Sequence, residues 1–239
     1  MQLYFIRHGQ SKNNALWADT RSNNGRSEDP ELTELGIRQA EAVAAYLNNA
    51  HPSGGRLCDE QIAGGFGITH LYCSLMIRAV QTGMIISRKL KIPLEAWEEL
   101  HEQGGIYLED EATGEKKRMP GNSREFFEKH YAGLVLPEKF IDTGWWNRRP
   151  FEKPEESSLR AKLFLEGLRE KHGNTEDRVA VISHGGFYND ILNNLLGISA
   201  SQGWFSIFNT GISRINFFMD RFDILYLNRT DHLTPELIT

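Results

Sequence analysis

Leu3-Tyr4-Phe5-Ile6-Arg7-His8-Gly9-Gln10-Ser11 runs from four apolar residues straight into a polar turn. Four consecutive apolar residues are the pattern of a strand covered on both faces, as in the middle of a parallel sheet. The same pattern returns at Val179-Ala180-Val181-Ile182, which leads into Ser183-His184-Gly185-Gly186. Both strands end in an arginine or serine beside a His-Gly pair. In open parallel sheets ligands bind at the carboxyl ends of strands, so this coincidence is the first functional clue.

Outward from these strands the chain alternates. A polar loop is expected from Asn13 to Pro30. Thr33 reads as an N-cap, followed by Ile37, Ala40, Val43, Ala44 and Leu47 at helical spacing. Pro52, Gly54 and Gly55 close that unit. Thr69 to Cys73 is a second strand, and Ile77, Val80, Met84 and Ile85 mark a helix that stops before Pro93. A helix from Ser157 to His172 carries Leu159, Leu163 and Leu168. Another helix follows Gly186 through Ile191, Leu192, Leu195 and Leu196, before strands at Ile212 to Met219 and Ile224 to Leu227. The alternation predicts a three-layer α/β/α sandwich with a mostly parallel sheet.

Residues 103–156 break the rhythm, being too long for an ordinary connection. Glu109-Asp110-Glu111 faces Glu115-Lys116-Lys117-Arg118 across Thr113-Gly114, as in a hairpin. Asn122 and Glu125 resemble a capping box ahead of Phe126 and Phe127, and Trp145, Trp146, Arg148 and Arg149 follow. The expectation is one domain over 1–239, with 103–156 an insertion capping the sheet end.

The chain has 239 residues, with 27 Lys+Arg against 32 Asp+Glu, a net charge of −5. That balance argues against broad nucleic-acid or anionic-membrane binding. Cys58 and Cys73 are the only cysteines, too few for a disulfide framework or a four-cysteine zinc site. The N-terminus lacks a signal-peptide pattern, and Ile191 to Ser213 is too polar for a membrane span. A cytoplasmic protein is expected.

Arg7 offers a fork of donors suited to phosphate or carboxylate, His8 a nitrogen that can act as base or nucleophile, and Gly9 a tight turn that lets a ligand approach the backbone. Taken singly, His8 and His184 read as hydrogen-bonded turn histidines, Arg78 as a surface arginine and Glu102 as a solvated carboxylate. Four such features, three of them at strand ends, are harder to dismiss.

The motifs Arg7-His8-Gly9-Gln10-Ser11 with Asn14, Leu32-Thr33-Glu34-Leu35-Gly36, Ser74-x-x-x-Arg78-Ala79-x-Gln81-Thr82, Leu100-His101-Glu102 and Ser183-His184-Gly185-Gly186 occur in that order. Asn209-Thr210-Gly211 then precedes a strand. In order and spacing the chain resembles the histidine phosphatase superfamily, in its phosphoglycerate-mutase-like branch, over nearly its whole length apart from 103–156. The resemblance implies that His8 is the nucleophile that becomes phosphohistidine. It implies that Arg7, Arg78 and His184 hold the phosphoryl oxygens, and that Glu102, chosen over Glu98 or Glu99 for its position after Leu100-His101, is the proton donor and then the base. An acid that must be protonated when the ester arrives should have a raised pKa. Asn14, Gln10, Ser11 and Gly185 would line the pocket. In the insertion, outside the resemblance, two readings stay open: Trp145 and Trp146 pack the segment onto the sheet with Arg148 and Arg149 solvated, or the segment caps the pocket and one of these arginines binds a second anionic group of a small phosphorylated substrate. No metal or cofactor is implied, because two arginines and a histidine can supply the charge stabilisation. One well-placed arginine is worth about 10³–10⁵ in rate in phosphoryl transfer.

Other readings are weaker. The eight histidines include no His-x-His or His-Glu-x-x-His. There is no Gly-x-Ser-x-Gly elbow and no P-loop. Cofactor-dependent phosphoglycerate-mutase-type phosphoryl transfer remains the alternative, since Trp146-x-Arg148-Arg149 loosely resembles the segment that holds the substrate carboxylate in phosphoglycerate mutases. Against it, Gln103-Gly104-Gly105 follows Glu102 where mutases place an arginine, and Leu227-Asn228-x-x-Asp231-His232-Leu233 looks more like the phosphatase members. A non-catalytic phospho-ligand binder is disfavoured by the complete residue set.

Overall fold

The computed structural model describes residues 1–49, 65–110, 112–140, 142–147 and 149–239. Cys58, Arg148 and the turn residues Pro52, Gly54 and Gly55 lie outside them.

Strand β1 (Gln2–Arg7) is the first element, as its apolar run predicts. Helix α1 (Lys12–Thr20) follows where a loop is expected. Ser11 and Asn14 close a reciprocal capping box at its start, yet the helix buries no residue. Local capping alone makes it, so it leaves no hydrophobic periodicity to read. Thr33 caps α2 (Glu34–Asn48), its side chain accepting from Gly36 N–H. Then come β2 (His70–Cys73), α3 (Ile77–Leu90) and β3 (Leu94–Ala96). The hairpin β4 (Tyr107–Glu109) and β5 (Lys116–Arg118) pairs Glu109 with Lys116. Helix α4 (Arg124–His130) is capped by Ser123, not Asn122. Strand β6 (Leu134–Val135) follows. Helix α5 (Pro154–His172) begins three residues before the expected Ser157, with proline in its first turn. The chain ends with β7 (Arg178–Ser183), α6 (Gly185–Leu196), β8 (Ile212–Phe217) and β9 (Phe222–Arg229).

The seven-stranded sheet has the order β6-β3-β2-β7-β1-β8-β9. Strands β6 to β1 pair in parallel, while β8 and β9 are antiparallel additions at one edge. Segment 103–156 thus does more than lie over the sheet, because β6 extends it beside β3.

Alternation along the central strands splits the core. Tyr4, Ile6, Ala180 and Ile182 pack with Val43, Leu47 and Val80 from α2 and α3. Leu3, Phe5, Val179 and Val181 pack with Phe164, Leu168, Phe187 and Ile191 from α5 and α6. In α5 the buried face is Ala161, Phe164, Leu165 and Leu168, and the expected Leu159 and Leu163 face solvent. Trp145 and Trp146 are buried against His101 and join the first cluster.

Helix connections from β1 and β7, which are neighbours, leave toward opposite faces of the sheet. That is a topological switch point, and it leaves a crevice beyond the ends of both strands.

Candidate active site

Parallel register places Arg7 beside Ser183, so the residues that follow, His8 and His184, meet over the crevice. Their ring centres are 5.1 Å apart. Gly9 is required here for packing on protein, not for a ligand. A Cβ on Gly9 would lie 2.4 Å from the Gly36 carbonyl oxygen, and one on Gly36 would lie 2.1 Å from that of Gln10. The two glycines let α2 press backbone to backbone against the turn after β1.

His8 is buried, and its hydrogen bonds fix its tautomer. Nδ1 lies 2.6 Å from the Gly9 carbonyl oxygen, an acceptor only, so Nδ1 carries the proton. Nε2 therefore keeps its lone pair, which accepts from Arg78 Nε at 3.1 Å. Burial, then the positive charges of Arg78 and Arg7, hold the imidazole pKa well below the ordinary histidine value. The ring is a neutral imidazole near neutral pH.

Beside it stand Arg7 and a second histidine. Arg7 Nη1 donates to the Ile207 carbonyl at 2.6 Å, while its buried Nε has no protein partner among the described residues. His184 is fully buried and neither ring nitrogen is hydrogen-bonded there. Burial and nearby Arg78 keep it neutral, with a pKa well below its ordinary value. Unpaired buried donors of this kind are costly unless a ligand takes them up.

Glu102 closes the site from the segment after β3. Its carboxylate accepts from the backbone N–H groups of Gln103 (2.9 Å), Gly186 (3.1 Å) and Phe187 (2.9 Å), the last two in the first turn of α6. Positive partial charge at that helix end favours the negatively charged carboxylate there. A Cβ on Gly186 would lie 2.4 Å from Glu102 Oε1, so the second glycine of the His-Gly-Gly motif makes room for the acid. Buried Arg160 pairs with Glu152 and donates to the carbonyls of Glu99 and His101, and Ser183 Oγ donates to that of Leu100. These bonds tie the Glu102 segment to α5 and β7.

A cavity of about 230 Å³ is lined by Arg7, His8, Asn14, Arg78 and Glu102, among others. Asn14 Oδ1 is engaged by Ser11 N–H and Asn209 Nδ2, which leaves its amide N–H groups for the cavity. Ser11 lines it too, but its hydroxyl is occupied as the α1 cap. Gly185 lines an adjoining cavity. Gln10 lines neither cavity, and its Oε1 accepts from the Thr33 hydroxyl to anchor the start of α2. Arg149 also lies apart: its guanidinium pairs with Glu98 and sits over the Trp146 ring, so it serves the packing of its segment, not the cavity. His232 bonds Thr210 and packs on Tyr46, away from either cavity.

Sequence reasoning missed two groups. Arg26 brings a further guanidinium to the cavity, with Nη1 3.4 Å from the Tyr107 hydroxyl and Nε unpartnered among the described residues. Asp29 lies behind Arg78, 3.9 Å from Nη1, accepting from Ile77 N–H and Asn122 Nδ2. Only the Asp29-Pro30 pair ahead of the Leu-Thr-Glu-Leu-Gly motif marks it in the sequence.

Burial pushes the Asp29 carboxyl up to about 6 despite Arg78. A raised carboxyl pKa means that the folded state favours the proton. Its stabilising share is present below the unfolded value and is lost as pH rises through about 6. Asp29→Asn, a neutral mimic, is therefore expected to raise Tm near neutral pH, with the gain closing as pH falls through about 6. The same variant is expected to lower kcat/KM, by up to about 100-fold if Arg78 is displaced. Paired melting and rate profiles against pH check both halves.

The family model for the histidine phosphatase superfamily (branch 1) matches residues 3–230. A curated relative, "Probable phosphoglycerate mutase GpmB" of Yersinia pestis (strain Pestoides F), is 27% identical over 222 residues, covering 91% of this chain and 85% of that protein. The solved alpha-ribazole phosphatase from Shigella flexneri shares the fold at TM-score 0.61 and 17% identity, covering 96% of each chain. Phosphoglycerate mutase from Bacillus anthracis does so at TM-score 0.60 and 19% identity, covering 97% of this chain and 94% of that one.

Proposed function

The chain belongs to the histidine phosphatase superfamily (branch 1), and from that premise we propose that it is a metal-independent phosphomonoesterase working through a phosphohistidine on His8. The observation that carries the reading is the state of His8. It is a neutral imidazole with its proton fixed on Nδ1 and its Nε2 lone pair beside the Arg78 guanidinium.

A phosphate monoester resists attack because its anionic oxygens repel nucleophiles. The Arg7 and Arg78 guanidinium groups offset that charge, and neutral His184 adds a hydrogen bond to it as it develops in the transition state. Nε2 attacks in line, forming an N–P bond as the ester P–O bond breaks. The leaving oxygen takes a proton from Glu102. The Gly9 carbonyl, accepting from Nδ1–H, supports the positive charge that grows on the ring. Water then attacks the phosphohistidine, gives its proton to Glu102 and releases phosphate, restoring neutral His8.

The rival reading is a mutase, which passes the phosphoryl group to another hydroxyl of the substrate instead of to water. The pairing of Arg149 with Glu98 outside the cavity supports the phosphatase, because it removes one of the expected clamp residues. A panel of phosphomonoesters assayed in chelator, beside a phosphoglycerate interconversion assay, decides between them. Phosphate release undiminished by chelator is the expected result. Activity lost in chelator and restored by a divalent ion would remove the metal-free mechanism. Interconversion without phosphate release would make the enzyme a mutase.

A further inference from the structure

At the amino ends of the strands, the side of the sheet away from His8, a second group of ligand-bearing side chains converges. Helix α5 buries Ala161, Leu165 and Leu168, and one turn later that stripe ends on buried His172, a histidine where the periodicity calls for an apolar residue. The Thr175 hydroxyl donates to the His172 carbonyl and accepts from the Asp177 N–H, turning the chain into β7. Strand β2, paired in parallel with β7, begins on His70. Three elements thus bring one side chain each to one point. Among the described residues, His70, His172 and Asp177 are the one set of histidine, cysteine and carboxylate side chains with three ligand atoms all within 4.8 Å of one another. His70 is far from the other two in sequence, so no ligand spacing announces the set.

His172 Nδ1 donates to Asp177 Oδ2 at 2.9 Å, and its Nε2 lies 3.1 Å from the Tyr72 hydroxyl, so the ring is fixed at both nitrogens. That hydrogen bond holds the Asp177 carboxyl below its ordinary pKa, so it stands ready as an anion. A plain hydrogen-bonded clamp of the turn needs only these two residues. His70 adds nothing to it: its Nδ1 is 3.9 Å from Asp177 Oδ1, beyond hydrogen-bond reach, and meets the Thr69 hydroxyl instead. Yet its ring is pressed to within 4.5 Å of the His172 ring, centre to centre. Metal–ligand bonds of about 2.0–2.2 Å in a tetrahedron put the ligand atoms about 3.3 Å apart, so small side-chain rotations bring all three into place. The His172 side chain is 5% exposed and anchors the set, while those of His70 and Asp177, at 36% and 27%, leave an entry for an ion and a position for water. Two imidazoles and one carboxylate suit zinc and its neighbours, whereas calcium and magnesium ask for oxygen alone.

We propose that His70, His172 and Asp177 bind a divalent transition-metal ion of the zinc class, which ties β2 to the turn between α5 and β7. The ion takes His172 Nδ1 in place of its proton, and the neutral ring then carries a proton on Nε2. Nε2–H donates to the Tyr72 hydroxyl oxygen, an outer-shell bond of the kind that orients a metal-bound imidazole. The site is structural. The whole length of β7, about 20 Å, separates it from His184, so no step at His8 passes through it.

Zinc(II) titrated calorimetrically into the chelator-stripped full chain is expected to bind one-to-one, and to raise Tm by about 5–10 °C at 100 times the measured Kd. His70→Ala is expected to weaken binding by at least about 100-fold, more than loss of an outer-shell partner does. Asp177→Asn should do the same while leaving the turn intact, because the amide oxygen still accepts from His172 Nδ1–H. His8→Ala should bind zinc as the wild type does, which separates this site from the catalytic histidines. Phosphate release in chelator, well below Tm, is expected to be unchanged by His70→Ala, so the metal-free reading of catalysis is tested independently. Absence of one-to-one binding in the wild type, or equally tight binding in His70→Ala, overturns the proposal. So does binding that is lost in His8→Ala and kept in His70→Ala, which would put the ion at the catalytic site.

Discussion

His8→Ala is expected to lower kcat toward every phosphomonoester by about 10⁴–10⁶-fold, the scale on which removal of a covalent nucleophile acts. No neighbour can replace it. His184, with ring centre 5.1 Å away, lacks the backbone acceptor that fixes the His8 proton on Nδ1. The variant should remain folded, since the change removes a buried neutral ring from a turn held by backbone bonds from His8 N–H to Ser183 and from Thr210 N–H to Arg7. Steady-state rates with a melting curve on the same preparation check this. Substantial turnover in a folded variant would mean that the nucleophile is another group.

Glu102→Gln is expected to slow hydrolysis of alkyl phosphates by about 10²–10⁴-fold, the usual range for general acid catalysis. The amide has the shape of the acid and can accept, through its oxygen, from the N–H groups of Gln103 and Phe187. Its NH2 group meets the Gly186 N–H, which donates to Glu102 Oε2 in the wild type, so one hydrogen bond is also lost. Geometry and proton transfer are separated by the leaving group. For p-nitrophenyl phosphate, whose leaving oxygen needs little protonation, the loss in kcat/KM, which reports phosphoryl transfer to His8 and not the later hydrolysis of phosphohistidine, should shrink strongly. An equal loss in kcat/KM with both ester types would assign Glu102 no part in protonating the leaving group.

Much of this site is legible in the sequence because the sheet does the assembling. Apolar runs identify β1 and β7 as buried strands whose carboxyl ends carry His8 and His184, while the adjacency that brings the two rings together is seen only in the strand pairing. Arg78 follows from its place at the start of a helix after a strand. Arg26 and Asp29 resist reading, since their loop has no periodicity and their importance depends on which side chain lies across from them. The same blindness explains Arg149. As a bare sequence it is a cation next to two tryptophans, and only the fold shows Glu98 beside it. Helix α1 was hidden because capping, without an apolar face, sustains it. Leu159 and Leu163 misled because hydrophobicity marks a helical face without saying whether the core lies on that side.

The most direct test of the account is to quench the enzyme during turnover of a substrate with a labelled phosphoryl group, and to map the label by mass spectrometry. The predicted result is one acid-labile, base-stable phosphoryl group on the peptide containing His8, absent from His8→Ala and longer-lived in Glu102→Gln. A label on a different residue, or none under conditions where phosphate is released, would contradict it.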